Sequence, residues 1–184
     1  MVLHKYLHWM NLTFLQSHMW SVDGKKNSGH HRIPTQRKRQ RVSLFGALNL
    51  VTQKFYWKST RTGDAKSFMA FLNQLRQTFK GQQIHLILDN SSVHKNSRVK
   101  TYLERHQEVF LHFIPPYSPE YNPVEKVWWW IKPLVYGFSA LKEGVHELLG
   151  RIRKLFWHYN EGRIDGALSM DLNPYLDIIN ILAD

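Results

Sequence analysis

Cysteine is absent from the 184 residues, which excludes disulfides and thiolate metal sites. No apolar run approaches the roughly 18 residues that a membrane-spanning helix needs. His4, Lys5 and His8 break up the apolar start of the chain, so no signal-peptide core can be read there. A Gly-rich phosphate loop and a G-x-S-x-G nucleophile turn are both missing, which removes two large enzyme classes. The scarce charge is the negative one. Asp and Glu total 14 against 25 Lys and Arg, a net +11 with neutral histidines, and residues 1–20 hold no acid at all. Such an excess favours a polyanionic partner, nucleic acid ahead of an acidic membrane surface. No membrane association is expected, and the protein is expected in the cytoplasm, or on the nucleoid in a bacterium.

What is abundant is core material. Hydrophobic residues make up 43% and aromatics 14%, enough for one globular domain with a sizeable core. Residues 1–160 read as that domain and 161–184 as a tail. Met1 to Trp20 suggests a short strand and then an irregular segment, with a turn at Val22-Asp23-Gly24. Val42 to Leu50 is apolar at nearly every position, as in a strand covered on both faces, and Phe55 to Ser59 returns beside it. Asp64 opens a helix carrying Phe68, Phe71, Leu72, Leu75 and Phe79 at spacings of three and four, and Gly81 ends it. Ile84 to Leu88 is a short buried strand. A helix over Lys95–His106, a strand over Val109–Ile114 and a proline-rich connector follow. Asn122 caps a third helix with Pro123 in its first position and Pro133 at its interruption or end. Ser139 caps a last helix through Leu141, Val145, Leu148, Ile152 and Leu155. The order predicts an α/β sheet, antiparallel at first and parallel later.

Sites in such sheets form beyond the carboxyl ends of strands, and Asp89 stands at one. Glu125 begins a helix, with 35 residues between the two carboxylates. A strand-end Asp and a helix-borne Glu suit a shared divalent ion, because Mg²⁺ and Mn²⁺ prefer carboxylate oxygen held on rigid elements. Local chemistry offers plainer roles: Asp89 as a turn residue, and Glu125 as the partner of Asn122 in a capping box. His94 reads as a capping, solvated or substrate-contacting group. Trp128, Trp129 and Trp130 could stack on bases, yet consecutive helical positions face different sides, so at least one belongs to the core. His30-His31 lacks zinc-ligand spacing. Lys25, Lys26, Arg32, Arg37, Lys38, Arg39 and Arg41 form a basic stretch, either a phosphate-contacting stripe or a solvated loop and strand edge.

Asp89-Asn90 with His94, the run Pro115-Pro116-Tyr117-Ser118-Pro119, Asn122-Pro123, and Glu125 followed by Trp128 and Lys132 together resemble the catalytic domain of D-D-E transposases. The closer resemblance is to bacterial insertion-sequence transposases related to the mariner superfamily. Val42 to Leu48 is similar to that family's second strand, and Met19-Trp20 with Gly24 to the turn before it. The resemblance spans roughly residues 9–160. It implies a ribonuclease H-like fold, a mixed five-stranded sheet flanked by helices. It implies Mg²⁺- or Mn²⁺-dependent cutting at transposon ends, attack of a 3′-hydroxyl on target DNA, and assembly into homo-oligomers on that DNA. Asp89 and Glu125 become the second and third catalytic, metal-binding carboxylates. Asn90, His94 and Asn122 become supporting or substrate-contacting groups, and Arg32, Arg37, Lys38, Arg39, Arg41 and Lys132 DNA contacts.

The first carboxylate of the family, usually in an Asp-Glu pair, has no counterpart upstream of Met19-Trp20. His8-Trp9 is aligned where it would stand, and Asp23 falls too late. The family's helix-turn-helix part is not found ahead of Met1 either, so the sequence reads as a broken or decayed copy. The expectation is a transposase domain that is silent or severely impaired alone. One alternative is a non-catalytic DNA-binding or interaction protein that keeps the fold. Another is a ribonuclease or junction resolvase of the same fold, against which the proline connector argues.

Overall fold

The computed structural model describes residues 10–22, 40–115, 122–135 and 145–164. Five strands and four helices follow one another along them: β1 Met10–Val22, β2 Gln40–Asn49, β3 Phe55–Thr60, α1 Ala65–Thr78, β4 Gln83–Leu88, α2 Ser97–Glu104, β5 Val109–Phe113, α3 Pro123–Val135 and α4 Val145–Asn160. The strands hydrogen-bond in the order β3-β2-β1-β4-β5. β1 lies antiparallel to β2, and β2 antiparallel to β3. β1 and β4 are parallel, as are β4 and β5. The change from hairpin to crossover connections is the one that the spacing of strands and helices predicts.

Period-two alternation explains why β2 looks apolar throughout. Val42, Leu44, Leu48 and Leu50 enter one core with Ile87, Val124, Val127, Trp128 and Ile131, plus Leu148, Ile152 and Phe156 of α4. Phe45 and Ala47 enter the opposite core with Phe68, Phe71, Leu72 and Leu75 of α1, Leu86 of β4 and Val99 of α2. Both faces are therefore covered by helices, and no solvated face remains to impose polar residues.

Local chemistry fixes the joints. Asn49 turns β2 into β3: its Oδ1 accepts from the N–H groups of Val51 at 3.0 Å and Thr52 at 2.7 Å. Asp64 caps α1 by accepting from the Ser67 N–H at 2.8 Å, and that bond, helped by the Thr62 hydroxyl, holds its carboxyl below the usual range. Asn160, the last residue of α4, accepts from the Phe55 N–H at 2.7 Å and donates to its carbonyl at 2.9 Å. The pair satisfies an edge-strand backbone and ties α4 to β3.

Three expectations are corrected. Met19 and Trp20 are not a turn: β1 runs unbroken to Val22, with Met19 opposite Ser43 and Trp20 opposite Val42. The long β2 supplies a ladder that carries the strand through a stretch with no clear alternation. The helix expected over Lys95–His106 is Ser97–Glu104, because Asn96 takes the cap position and accepts from the Arg98 N–H at 2.9 Å. Pro133 does not stop α3, which continues to Val135; a proline this near a helix end forfeits one bond to the carbonyl four residues back. His8-Trp9, Asp23, Lys25, Lys26, His30-His31, Ser139, Leu141, residues 116–121 and most of the tail lie outside the described residues.

Gly46 faces the crowded core, where Phe55 and Trp128 meet edge to face at 5.5 Å. A Cβ on Gly46 would collide with the Phe55 ring and lie 2.5 Å from the Trp128 ring. Gly46→Ala is therefore expected to cost about 3 kcal/mol in urea unfolding; a change within about 0.5 kcal/mol would contradict this packing.

Toward the β5 edge, His85 stacks on Phe110 at 4.6 Å and on His112 at 5.2 Å, and His85 Nδ1 lies 3.0 Å from His112 Nε2. Burial, and then repulsion from His112, pushes the His85 pKa down to about 4. The folded chain keeps this ring neutral while the unfolded chain takes up a proton near pH 6.5. Stability is thus fully present above about pH 6.5 and is lost as the pH falls toward about 4. His85→Leu should flatten that part of the pH–stability curve; an unchanged slope would contradict the assignment.

Candidate active site

β4 is buried from Ile84 to Leu88 and then surfaces at Asp89. The Asp89 side chain is 39% exposed, and its Oδ1 accepts from the Ser91 N–H at 3.1 Å. His94 Nε2 stands 3.3 Å from the same oxygen, at ion-pair distance but outside hydrogen-bond geometry. His94 is neither solvated nor capping. Its side chain is fully buried, edge-on to Phe68 of α1 at 4.5 Å, and its backbone N–H closes a turn onto the Ser91 carbonyl. His94, and then the Ser91 N–H, hold the Asp89 carboxyl below its usual range against the opposing effect of burial. At neutral pH Asp89 is an ionised oxygen donor braced from behind by a buried ring.

Asn90 is occupied at both ends of its amide. Its Nδ2 donates to the Ile114 carbonyl, and its Oδ1 accepts from Lys95 Nζ. The Lys95 ammonium also lies 5.1 Å from the Phe113 ring centre. With the Ile114 N–H donating to Leu88 at 3.0 Å, these bonds lock the ends of β4 and β5 together. The chain that leaves β5 therefore starts beside Asp89.

Asn122 is buried and caps α3, accepting from the Val124 N–H at 3.2 Å. Val124, Val127, Trp128 and Ile131 bury one side of the helix in the core. Glu125 falls in the first turn and is half-buried. The three tryptophans divide as helical geometry requires: Trp128 is core, Trp130 packs partly buried near Tyr159, and Trp129 is exposed.

The remaining wall of the site comes from β1. Met10 is paired with Gln83 and Leu15 with Leu88. The pairing stops there, one residue short of Asp89, and Gln16 is the residue of β1 that follows; His8-Trp9 lies outside the described residues. Met10 itself is six residues back along β4, roughly 20 Å away. The sequence offered one usable clue, the acid-free stretch Leu12–Ser17, but no turn signal to set the register. Among the described residues, no three His, Asp or Glu side chains gather to hold a metal ion.

Of the basic residues read from the sequence, Arg32, Arg37, Lys38 and Arg39 lie outside the described residues. Arg41 is on β2 opposite Ser21, and Lys132 is on α3. Further exposed cations not singled out from the sequence include Arg153 and Lys154 on α4 and Arg163 just beyond it, which covers the half-exposed Trp157 ring at 4.6 Å.

A strand-end Asp, a helix-borne Glu and a central parallel pair define an α/β core with its site at the sheet's carboxyl edge. Residues 10–141, well over half of the chain, match the family described as DDE superfamily endonuclease, and the chain belongs to that family. A relative from Shigella sonnei, the "Insertion element IS630 uncharacterized 39 kDa protein", is 27% identical over 110 residues; the match covers 59% of this chain and 31% of that protein. The HTLV-2 integrase catalytic core domain, solved in complex with magnesium, superposes with a TM-score of 0.56 at 11% identity, covering 88% of each chain. The Mos1 strand transfer complex superposes with a TM-score of 0.56 at 14% identity, covering 99% of this chain and 55% of that one. These likenesses show the fold, the ribonuclease H-like core of integrases and transposases.

Replacing the buried ring next to Asp89 tests the electrostatics. His94→Gln should raise the Asp89 titration midpoint, read from the side-chain carboxyl carbon by NMR. An unchanged midpoint would show that His94 does not hold the carboxylate down.

Proposed function

We propose that the chain is the catalytic-core portion of a DNA transposase and that Gln16 occupies the place of its first carboxylate. In this reading the domain is built for Mg²⁺- or Mn²⁺-dependent cleavage at element ends and for joining a 3′-hydroxyl to target DNA. Asp89 and Glu125 are its remaining metal-binding, catalytic carboxylates. His94 sets the ionisation of Asp89, Asn90 locks the strand ends that carry it, and Asn122 starts the helix that presents Glu125.

The observation that supports the proposal is the β1–β4 register, whose last pair, Leu15 with Leu88, comes one residue before Gln16 and Asp89. Divalent ions at such a site activate an oxygen nucleophile and stabilise the leaving oxygen. Two ions about 3.5–4 Å apart need more negative charge than two carboxylates supply, because an amide oxygen is a neutral donor. On this reading the donors among the described residues do not fit a two-ion site. The chain alone binds DNA, holds at most one ion, and does not cut.

The net charge of +11 and the exposed Arg153, Lys154 and Arg163 support a DNA partner, with Arg41, Lys132 and the basic stretch Arg32–Arg39 as further phosphate contacts. Family resemblance supports homo-oligomers on element ends and target DNA, with work on nucleoid DNA in the cytoplasm.

A nicking assay on supercoiled plasmid with Mn²⁺ tests this. The natural chain should leave the plasmid intact. Gln16→Asp should produce nicks, and adding Asp89→Ala should abolish them. Nicking by the natural chain that Asp89→Ala removes would overturn the account of Gln16. A Gln16→Asp chain that binds DNA yet never cuts would favour the alternative, a DNA-binding protein that retains only the fold.

A further inference from the structure

Among the described residues Trp129 is 81% exposed, far more than the next large apolar side chains, Val51 at 49% and Trp157 at 48%. Its neighbour Trp128 is fully buried, so the fold takes its aromatic anchor from one indole and leaves the other in water. An indole buries on the order of 200 Å² when covered, and leaving it bare forfeits that gain. Helical geometry gives the ring its company. Glu125 is four residues before Trp129, on the same face and about 6 Å away along the axis. Lys126, which is exposed, is three residues before it. The outer side of the first two turns of α3 thus carries a carboxylate, an ammonium and a bare indole together.

We propose that Trp129 is a stacking platform for an unpaired DNA base, one or two nucleotides from the phosphate that Glu125 faces. The inference rests on the reading of Glu125 given above. The spacing suits it, since the two helix positions are offset by about 6 Å along the axis, within the reach of one extended nucleotide. So does the chemistry. A flat ring beside an ammonium matches a base with its attached phosphate, and stacking accepts any base. An apolar protein surface would instead bury the exposed Lys126 ammonium, at high cost.

Binding is measured by fluorescence anisotropy in EDTA, so that no cleavage chemistry enters. The probes are a labelled single-stranded oligothymidine and an abasic oligonucleotide of equal length. Trp129→Ala should weaken binding of the oligothymidine roughly tenfold. Trp129→Phe should recover most of it, and neither variant should change binding of the abasic strand. Lys126→Ala should weaken both probes alike. Equal loss on both probes for Trp129→Ala, or no loss on either, would overturn the stacking role and leave the transposase reading standing. So would a concentration-dependent dimer that Trp129→Ala dissolves, which would assign the ring to a second copy of the chain. Failure of the natural chain to bind either probe would overturn both readings together.

Discussion

Everything at the site depends on one backbone constraint, the parallel pairing of β1 with β4. It joins the antiparallel half of the sheet to the parallel half, and both hydrophobic cores are built against that composite surface. It also decides which residue of β1 stands beside Asp89. Because side chains alternate with a period of two, a slip of one residue would present the other face of the strand.

Around that pairing the molecule holds one carboxylate and one helix start with separate devices. Asp89 leaves a strand buried from Ile84 to Leu88 and is steadied by a backbone N–H and a buried imidazole. The imidazole is steadied in turn by Phe68, so α1 contributes to the site without touching its surface. Asn90 closes β4 onto β5, which fixes where the connector toward Asn122 begins. Trp128 then seats α3 in the pocket over Gly46, and with it the height of Glu125 above the sheet. A residue as distant from the chemistry as Gly46 thus belongs to the positioning of the acid.

Sequence pattern and structure agree where the local signal is strong. The apolar period of α1, the cap at Asn122, the unbroken hydrophobicity of β2 and the strand-end Asp89 were all readable, because each is decided within a few residues. β1 was not. It has no clean alternation, and its Met19-Trp20 pair resembles a turn, so only the pairing partners on either side reveal its length and register. The burial of His94 was equally hidden, since a histidine two residues before a helix cap looks solvated until α1 is packed against it. The tryptophan triplet sits between these cases. Helical geometry demanded that the rings separate, but only the packed sheet says which one is left outside.

The proposed function reduces to a count of charge at one sheet edge, where two carboxylates without a third would hold at most one divalent ion. Titration of Mn²⁺ into the natural chain, followed by electron paramagnetic resonance of the free ion, reads that count directly. At most one ion per chain should bind, and binding should disappear in Asp89→Ala. Two ions per chain, lost together on that substitution, would contradict it.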